Sequence, residues 1–220
     1  MLKVVPRHHP EERLMRGEAV ALSHWHEHAA AVELLDTRDD GMTLLLRRLR
    51  PATVLDDLPY DEQLAVAGKL VARLHAAGNP PPDLPTIEAY VEPYRRVGDP
   101  ELDALLASSP PPVAVHADLH GGNVLRDGDR WLAIDPKGVA GDPNLDMWIL
   151  TCAQVPPLPA DDPSGEMRRR IDIYAHAAGL DPQRVAAWVR VVARSEAVLT
   201  ADSAFESWPE RLRQITAALN

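Results

Sequence analysis

Asp118, Asn123 and Asp135 are the residues of this chain whose types and spacing could do chemistry together. An Asp carboxylate and an Asn carbonyl oxygen are hard ligands of the kind Mg²⁺ takes, and that ion is commonly held by one or two carboxylates together with the oxygens of a phosphate chain. Giving Asn123 and Asp135 to the metal leaves Asp118 free to accept a proton from an incoming hydroxyl. The first two lie in the loop His116-Ala117-Asp118-Leu119-His120-Gly121-Gly122-Asn123, and the third in Ile134-Asp135-Pro136-Lys137-Gly138. Turn-forming Asp, Asn and Gly residues alone would not require this order of oxygen ligands.

The elements that must position these loops are short and apolar. Residues 113–115 (Val-Ala-Val) and 131–134 (Trp-Leu-Ala-Ile) read as strands, each running into one of the two loops. Between them Arg126-Asp127-Gly128-Asp129 is a hairpin signal, because Asp-Gly supplies the positive φ angles of a tight turn. The expectation is that this hairpin pairs residues 113–115 with 131–134, so that Asp118, Asn123 and Asp135 converge at one end of a ribbon.

His116-x-Asp118-Leu119-His120-x-Gly122-Asn123 followed by Ile134-Asp135-Pro136-Lys137-Gly138 resembles the aminoglycoside phosphotransferase family of the kinase-like superfamily. Together with Gly141-Asp142-Pro143, the second motif is most similar to the streptomycin 6-phosphotransferase and hydroxyurea phosphotransferase branch. The resemblance implies an α+β, protein-kinase-like two-lobed fold with a reduced N-terminal β lobe and a mainly helical C-terminal lobe. It also implies transfer of the γ-phosphoryl group of ATP to a hydroxyl of a small molecule, with ATP and Mg²⁺ as cofactors. Asp118 would then be the base, Asn123 and Asp135 the metal ligands, and Lys137 a cation beside the transferred group or a member of an ion pair. His116 would brace the loop by hydrogen bonds rather than pass a proton, and Asp142 and Asp146 would be caps or loop braces.

Ahead of these motifs, Lys3 lies in a β-prone run and Glu18 on the helical stretch that starts at Pro10 and continues to Trp25. A strand lysine held by a glutamate on the next helix is how kinases reach the nucleotide phosphates. Lys is scarce here, three against 20 Arg, and two of the three, Lys3 and Lys137, fall where a phosphate would be. Residues 30–35 and 42–49 read as two strands joined by a Gly-containing turn, and Arg47, Arg48 and Leu49 as the hinge whose backbone would face adenine. The smaller lobe is expected over residues 1–51 and the helical one over 52–220. In the latter, helices are expected over 61–77, 87–96, 100–107, 144–153, 164–178, 181–201 and 209–219, from apolar periodicity and Pro, Asp and Gly end signals.

Composition fits this reading and excludes others. A net charge of −10 is unsuited to nucleic acid. No run approaches the ~20 apolar residues of a membrane span, so no membrane partner is expected. The one cysteine, Cys152, allows no internal disulfide, which suits a reducing, cytoplasmic compartment, and it reads as a small buried apolar residue. Only Met1 and Leu2 precede Lys3, with no glycine-rich loop ahead of it. An open, wet nucleotide site is therefore expected, and exposed strand edges in the small lobe would allow a homodimer. Two alternatives stand beside the kinase reading: a nucleotide-binding remnant of weak activity, and a kinase for choline, a sugar or homoserine.

Overall fold

The computed structural model describes residues 1–4, 12–201 and 207–220, except the side chains of residues 12–15. In chain order it gives β1 (Leu2–Val4), α1 (Glu12–Trp25), β2 (Leu34–Arg38), β3 (Thr43–Leu46), β4 (Pro51–Val54) and α2 (Tyr60–His75). There follow α3 (Ile87–Tyr90), α4 (Glu92–Val97), α5 (Leu102–Ala107), β5 (Val113–Val115), β6 (Val124–Asp127), β7 (Arg130–Ala133) and β8 (Val139–Gly141). The chain ends with α6 (Pro163–Ala178), α7 (Pro182–Leu199) and α8 (Ser207–Ala218). The expected start of α1 at Pro10 lies outside the described residues.

Three small antiparallel sheets carry the strands: β1-β3-β2, β4-β6-β7 and β5-β8. This corrects the expected ribbon. The Asp-Gly turn joins β6 to β7, with Gly128 at φ +59°, whereas residues 113–115 pair with β8. β4, β6 and β8 are each only three or four residues long and abut loops rich in Gly, Asp and Pro, so their alternation is too brief to register. Residues 30–32 also leave the expected first strand. Ala31 bridges Ala133 of β7, and the pairing with β3 begins only at Leu34.

Two helix expectations are corrected as well. Residues 144–153 form two separate 3-10 turns, Pro143–Leu145 and Trp148–Leu150, instead of one helix. The stretch from Asn144 to Leu150 is buried throughout, so it lacks the solvent-facing side that a surface helix needs. Residues 87–96 divide into α3 and α4 at Val91, because Pro93 has no N–H to carry the helix through.

α2 and α6 build the floor on which the site rests. Leu64, Ala67, Leu70, Val71 and Leu74 of α2 are buried at helical spacing against Met167, Ile171, Tyr174 and Ala175 of α6. Each large aliphatic chain so buried contributes about 1.5–3 kcal/mol. The helices approach closely because Gly68 has no side chain: a Cβ there would stand 2.6 Å from the Tyr174 carbonyl oxygen and 2.7 Å from Ala177 Cβ. Among the described residues no helix is long and apolar enough to cross a membrane.

Gly68→Ala separates two effects. Alanine improves helix propensity by about 1 kcal/mol, while overpacking against backbone costs about 1–3 kcal/mol. Since the obstruction is main chain, packing wins, and urea denaturation is expected to show the variant less stable by about 1–2 kcal/mol. A stabilised variant would mean that α2 and α6 can part without loss.

Candidate active site

β5 delivers the chain to His116, Ala117 and Asp118, and a buried carboxylate dictates its path from there. Asp146, fully buried, accepts from the backbone N–H of His116 at 3.1 Å and of Ala117 at 2.9 Å. His75 Nε2 lies 2.9 Å from the same carboxylate. Ala117 is thereby held at φ +61°, in the left-handed region that non-glycine residues avoid. Its carbonyl accepts from Tyr90 Oη at 2.8 Å, so this residue is fixed on both sides.

His116 ties the two motif loops together. Its Nδ1 accepts from Asp118 N–H at 3.3 Å, which leaves Nε2 protonated and able to donate to the Ile134 carbonyl at 2.9 Å. Its ring stacks on Trp25 of α1, with centroids 6.3 Å apart, and burial holds its pKa below the usual imidazole range. With both nitrogens committed, His116 positions the loops. Lys137 N–H closes the same junction by donating to the His116 carbonyl at 2.9 Å.

The three oxygen-bearing residues do come together, by loops from three different strand ends. Asn123 Nδ2 donates to the Asp118 carbonyl at 2.9 Å, which fixes the amide and leaves Oδ1 as its available donor to a cation. Ile134 N–H donates to the Asn123 carbonyl at 2.9 Å, placing Asp135 next to it. Asp135 sits at φ +57°, a second left-handed non-glycine residue, with its carboxylate half exposed. Hard oxygens on Asn123 and Asp135, one of them open to solvent, fit Mg²⁺, which keeps room for phosphate oxygens and water. Burial raises the Asp118 carboxyl above its usual range, against the opposing charges of His116, Lys137 and His120. That tuning suits a proton acceptor near neutral pH.

Lys3 of β1 reaches this centre. Its ammonium ion-pairs with Glu18 Oε2 at 2.6 Å and with Asp135 Oδ1. Burial alone would lower the Lys3 pKa, but the hydrogen bonds to Asp135 and Glu18 outweigh it and the net shift is upward. Glu18 is raised by its own burial more than Lys3 lowers it. α1 can place Glu18 here because Gly17 lets it lie directly on the second loop: a Cβ at Gly17 would come 2.5 Å from the Gly138 carbonyl oxygen.

The hinge residues divide. Arg47 N–H donates to the Glu33 carbonyl at 2.9 Å and its guanidinium donates to Asp127 at 2.9 Å, so Arg47 holds the hinge to the β6–β7 turn. Arg48 is exposed and Leu49 buried, and neither makes a backbone hydrogen bond to another described residue. Beside Asp118 and Lys137 opens a cavity of ≈ 410 Å³, lined also by Tyr90, Tyr94, Trp148, Glu196 and Trp208. These wall residues come from α3, α4, a 3-10 turn, α7 and α8, and no local motif joins them, so the sequence offered no signal for them. Cys152 lies buried, with its thiol pushed up to about 12 by burial, which leaves it inert.

Asp146→Asn tests the anchor. The amide keeps one acceptor but turns N–H groups toward a backbone N–H and toward His75. Losing charge-assisted bonds to a buried carboxylate is expected to cost about 3 kcal/mol of stability by urea denaturation. An unchanged midpoint would show that the loop holds its shape without Asp146.

The model of a family described as aminoglycoside/hydroxyurea antibiotic resistance kinase matches residues 1–204. A streptomycin 6-kinase of Streptomyces glaucescens is 33% identical over 184 residues, covering 74% of this chain and 60% of that protein. A hydroxyurea phosphotransferase of Kitasatospora aureofaciens is 34% identical over 194 residues, covering 78% of this chain and 54% of that protein. The chain thus spans a little over half the length of these curated relatives. A solved choline/ethanolamine kinase family protein of Mesorhizobium loti superposes with a TM-score of 0.68 at 18% identity, covering 100% of this chain and 82% of that one. The fold is therefore the kinase-like one, α+β with a small β part ahead of a mainly helical part, and the chain belongs to the aminoglycoside/hydroxyurea antibiotic resistance kinase family.

Proposed function

We propose that this chain carries the catalytic centre of a phosphotransferase that moves the γ-phosphoryl group of ATP to a hydroxyl of a small molecule, an aminoglycoside such as streptomycin or else hydroxyurea. The observation that carries the reading is the junction in which Asn123 is locked to the Asp118 backbone, with Asp135 alongside and an open cavity in front of Asp118. The family membership supports it.

In this reading the acceptor hydroxyl lies in the cavity within reach of Asp118. Its oxygen forms a bond to the γ-phosphorus as the bond from that phosphorus to the β-phosphate oxygen breaks. The hydroxyl proton passes to Asp118, and a phosphate monoester and ADP result. Such transfer depends mainly on positioning and charge stabilisation. Lys3, oriented by Glu18, meets the nucleotide phosphates, and Lys137 adds positive charge beside the transferred group. Asn123 Oδ1 and Asp135 would hold Mg²⁺, which when bound neutralises charge on the phosphate chain. The backbone of Arg48 and Leu49 would meet the base.

Asp118→Asn keeps the shape of the side chain and removes the proton acceptor. Transfer, followed by ADP release with streptomycin and with hydroxyurea, is expected to fall by about 10²–10⁴-fold, while ATP–Mg²⁺ affinity by calorimetry persists. Equal turnover would overturn the assignment. Since the base must be ionised and burial raises its pKa, wild-type turnover is expected to fall with decreasing pH already above the ordinary carboxylate range. Asp135→Ala removes a ligand instead, and the Mg²⁺-dependent part of ATP binding should vanish. If added Mg²⁺ strengthens ATP binding to the variant as much as it does to wild type, Asp135 is not that ligand.

A further inference from the structure

A second cavity, of ≈ 360 Å³, shares no lining residue with the one in front of Asp118. Three parts of the chain bring polar side chains to it. Arg47 comes from the hinge, Arg130 from β7, and His26 from the short 3-10 turn His26–His28 that follows α1. Ala31 and Leu132, both buried, add apolar surface, and Glu33 adds a carboxylate. Arg130 and Leu132 are two apart on β7 and so share a face, and Ala31 is bridged to Ala133 beside them.

The positive charge here is not fully met by the protein. One terminal nitrogen of Arg47 donates to Asp127 at 2.9 Å and its Nε stands 3.4 Å from Glu33 Oε2, while the other terminal nitrogen bonds to no described residue. Arg130 is exposed and makes no hydrogen bond or ion pair with a described residue. Its charge is felt nearby: after the larger effect of burial, Arg130 is what lowers the Arg73 pKa. Arg73 itself turns to the Trp131 carbonyl, at 2.5 Å. Three guanidiniums, of Arg47, Arg73 and Arg130, thus stand against two carboxylates, of Glu33 and Asp127. Other arginines of this acidic chain are met by acids, Arg169 by Asp61 and Glu166, and Arg194 by Asp99 and Glu101. A guanidinium beside a like charge and without an acid partner is one that an incoming anion stabilises.

We propose that this cavity binds the phosphate group of a small phosphorylated molecule, held chiefly by Arg130 and by the uncommitted edge of Arg47, with His26 adding a ring N–H. Donors arriving from three elements suit a tetrahedral anion with oxygens on every side, whereas a planar carboxylate is satisfied by one fork. Glu33 offers an acceptor to a hydroxyl on the rest of the molecule, and the volume suits a compact one. Arg47 already anchors the hinge to Asp127 of the β6–β7 turn, so an anion shared with Arg130 clasps the hinge to β7 as well. The site does not depend on the phosphotransferase reading.

Glycerol phosphate, inorganic phosphate and acetate are titrated calorimetrically at low ionic strength into wild type, Arg130→Gln and Lys3→Met. Glycerol phosphate is expected to bind wild type and to bind Arg130→Gln about 10–100-fold more weakly, with added salt weakening the wild-type binding. Lys3→Met should keep this binding. Its loss in Lys3→Met and retention in Arg130→Gln would place the anion at the centre near Asp135 and overturn the proposal. Urea denaturation separates a ligand contact from a structural one. Without phosphate, Arg130→Gln should unfold at the wild-type midpoint, and glycerol phosphate should raise the midpoint of wild type much more than that of the variant. A lower midpoint for Arg130→Gln without phosphate, and no wild-type rise with it, would make Arg130 a structural contact and overturn the site. Arg130→Lys keeps the charge and loses the fork, so its affinity should fall between the two, and it stands in if the Gln variant does not fold. Equal affinity in wild type and Arg130→Gln, no binding of either phosphate by wild type, or acetate bound as tightly as phosphate would each overturn the proposal.

Discussion

One buried carboxylate decides the geometry of the candidate centre. Asp146 takes the N–H groups of His116 and Ala117 into a pocket with no solvent access, and His75 from α2 donates to it as well. A buried charge is costly unless its lone pairs are filled, so the loop must come to Asp146 in the one conformation that fills them. That conformation puts Ala117 in the left-handed region, at a cost of order 1–3 kcal/mol that the surrounding bonds offset. Asp118 is the next residue, so its direction follows from that anchor. The second left-handed residue, Asp135, adjoins Ile134, whose carbonyl and N–H are taken by His116 and Asn123. Ala117 and Asp135 therefore both lie where two loops are bonded to each other, while the other left-handed non-glycine residues, Ala29, Asp39, Asp40 and Ala52, lie outside this junction.

The charges of the centre are balanced locally, although the chain as a whole is acidic. Lys3 sits between Glu18 and Asp135, one buried and one open. An incoming phosphate chain with its cation would compete for Lys3 and Asp135 while leaving Glu18 in place. A compact ammonium can exchange partners in this way by small rotations, whereas a guanidinium would favour a fixed bidentate pair. In a chain with 20 Arg and three Lys, lysine at this position is thus chemically intelligible. The arginines do the opposite work. Arg184 grips buried Asp142 together with Trp188, and Arg170 packs over Tyr60 while donating to Glu166. These are fixed structural clamps away from the Lys3–Asp135 pair.

What could be read from the sequence was the identity of the polar residues in the two loops and the long amphipathic helices. Asp118, Asn123 and Asp135 stand out because the metal and proton chemistry proposed for them restricts residue type as well as spacing, and α2, α6 and α7 because their buried positions recur at helical period over four or more turns. Strand pairing was not legible. Residues 113–115 could pair with any short apolar neighbour. The choice of β8 over β7 follows from Lys137 N–H reaching the His116 carbonyl and from Asp146 pulling the loop, contacts that join residues 20–30 positions apart. The cavity walls were invisible for the same reason. Tyr90, Trp148, Glu196 and Trp208 become neighbours only once α3, α7 and α8 have docked on the loops.

The same geometry makes the cavity wall and the loop that carries Asp118 parts of one hydrogen-bond chain. Trp148 Nε1 donates to Tyr90 Oη, and Tyr90 Oη donates to the carbonyl of Ala117, the residue that precedes Asp118. A molecule pressed against the Tyr90 and Trp148 rings acts on the group that pins the strained peptide. Because Ala117 N–H is already fixed by Asp146, movement of its carbonyl would turn the Ala117–Asp118 peptide about the Cα–C bond of a held residue, and Asp118 would turn with it. On the proposed function, acceptor binding and base alignment are therefore coupled. A molecule that fills the wall well holds the Tyr90 bond in place and keeps the base aimed, while one that fills it poorly leaves that bond free to lengthen. On the proposed chemistry, this links discrimination among acceptors to the rate of transfer as well as to affinity, since alignment at the reacting atoms is where binding energy lowers the barrier.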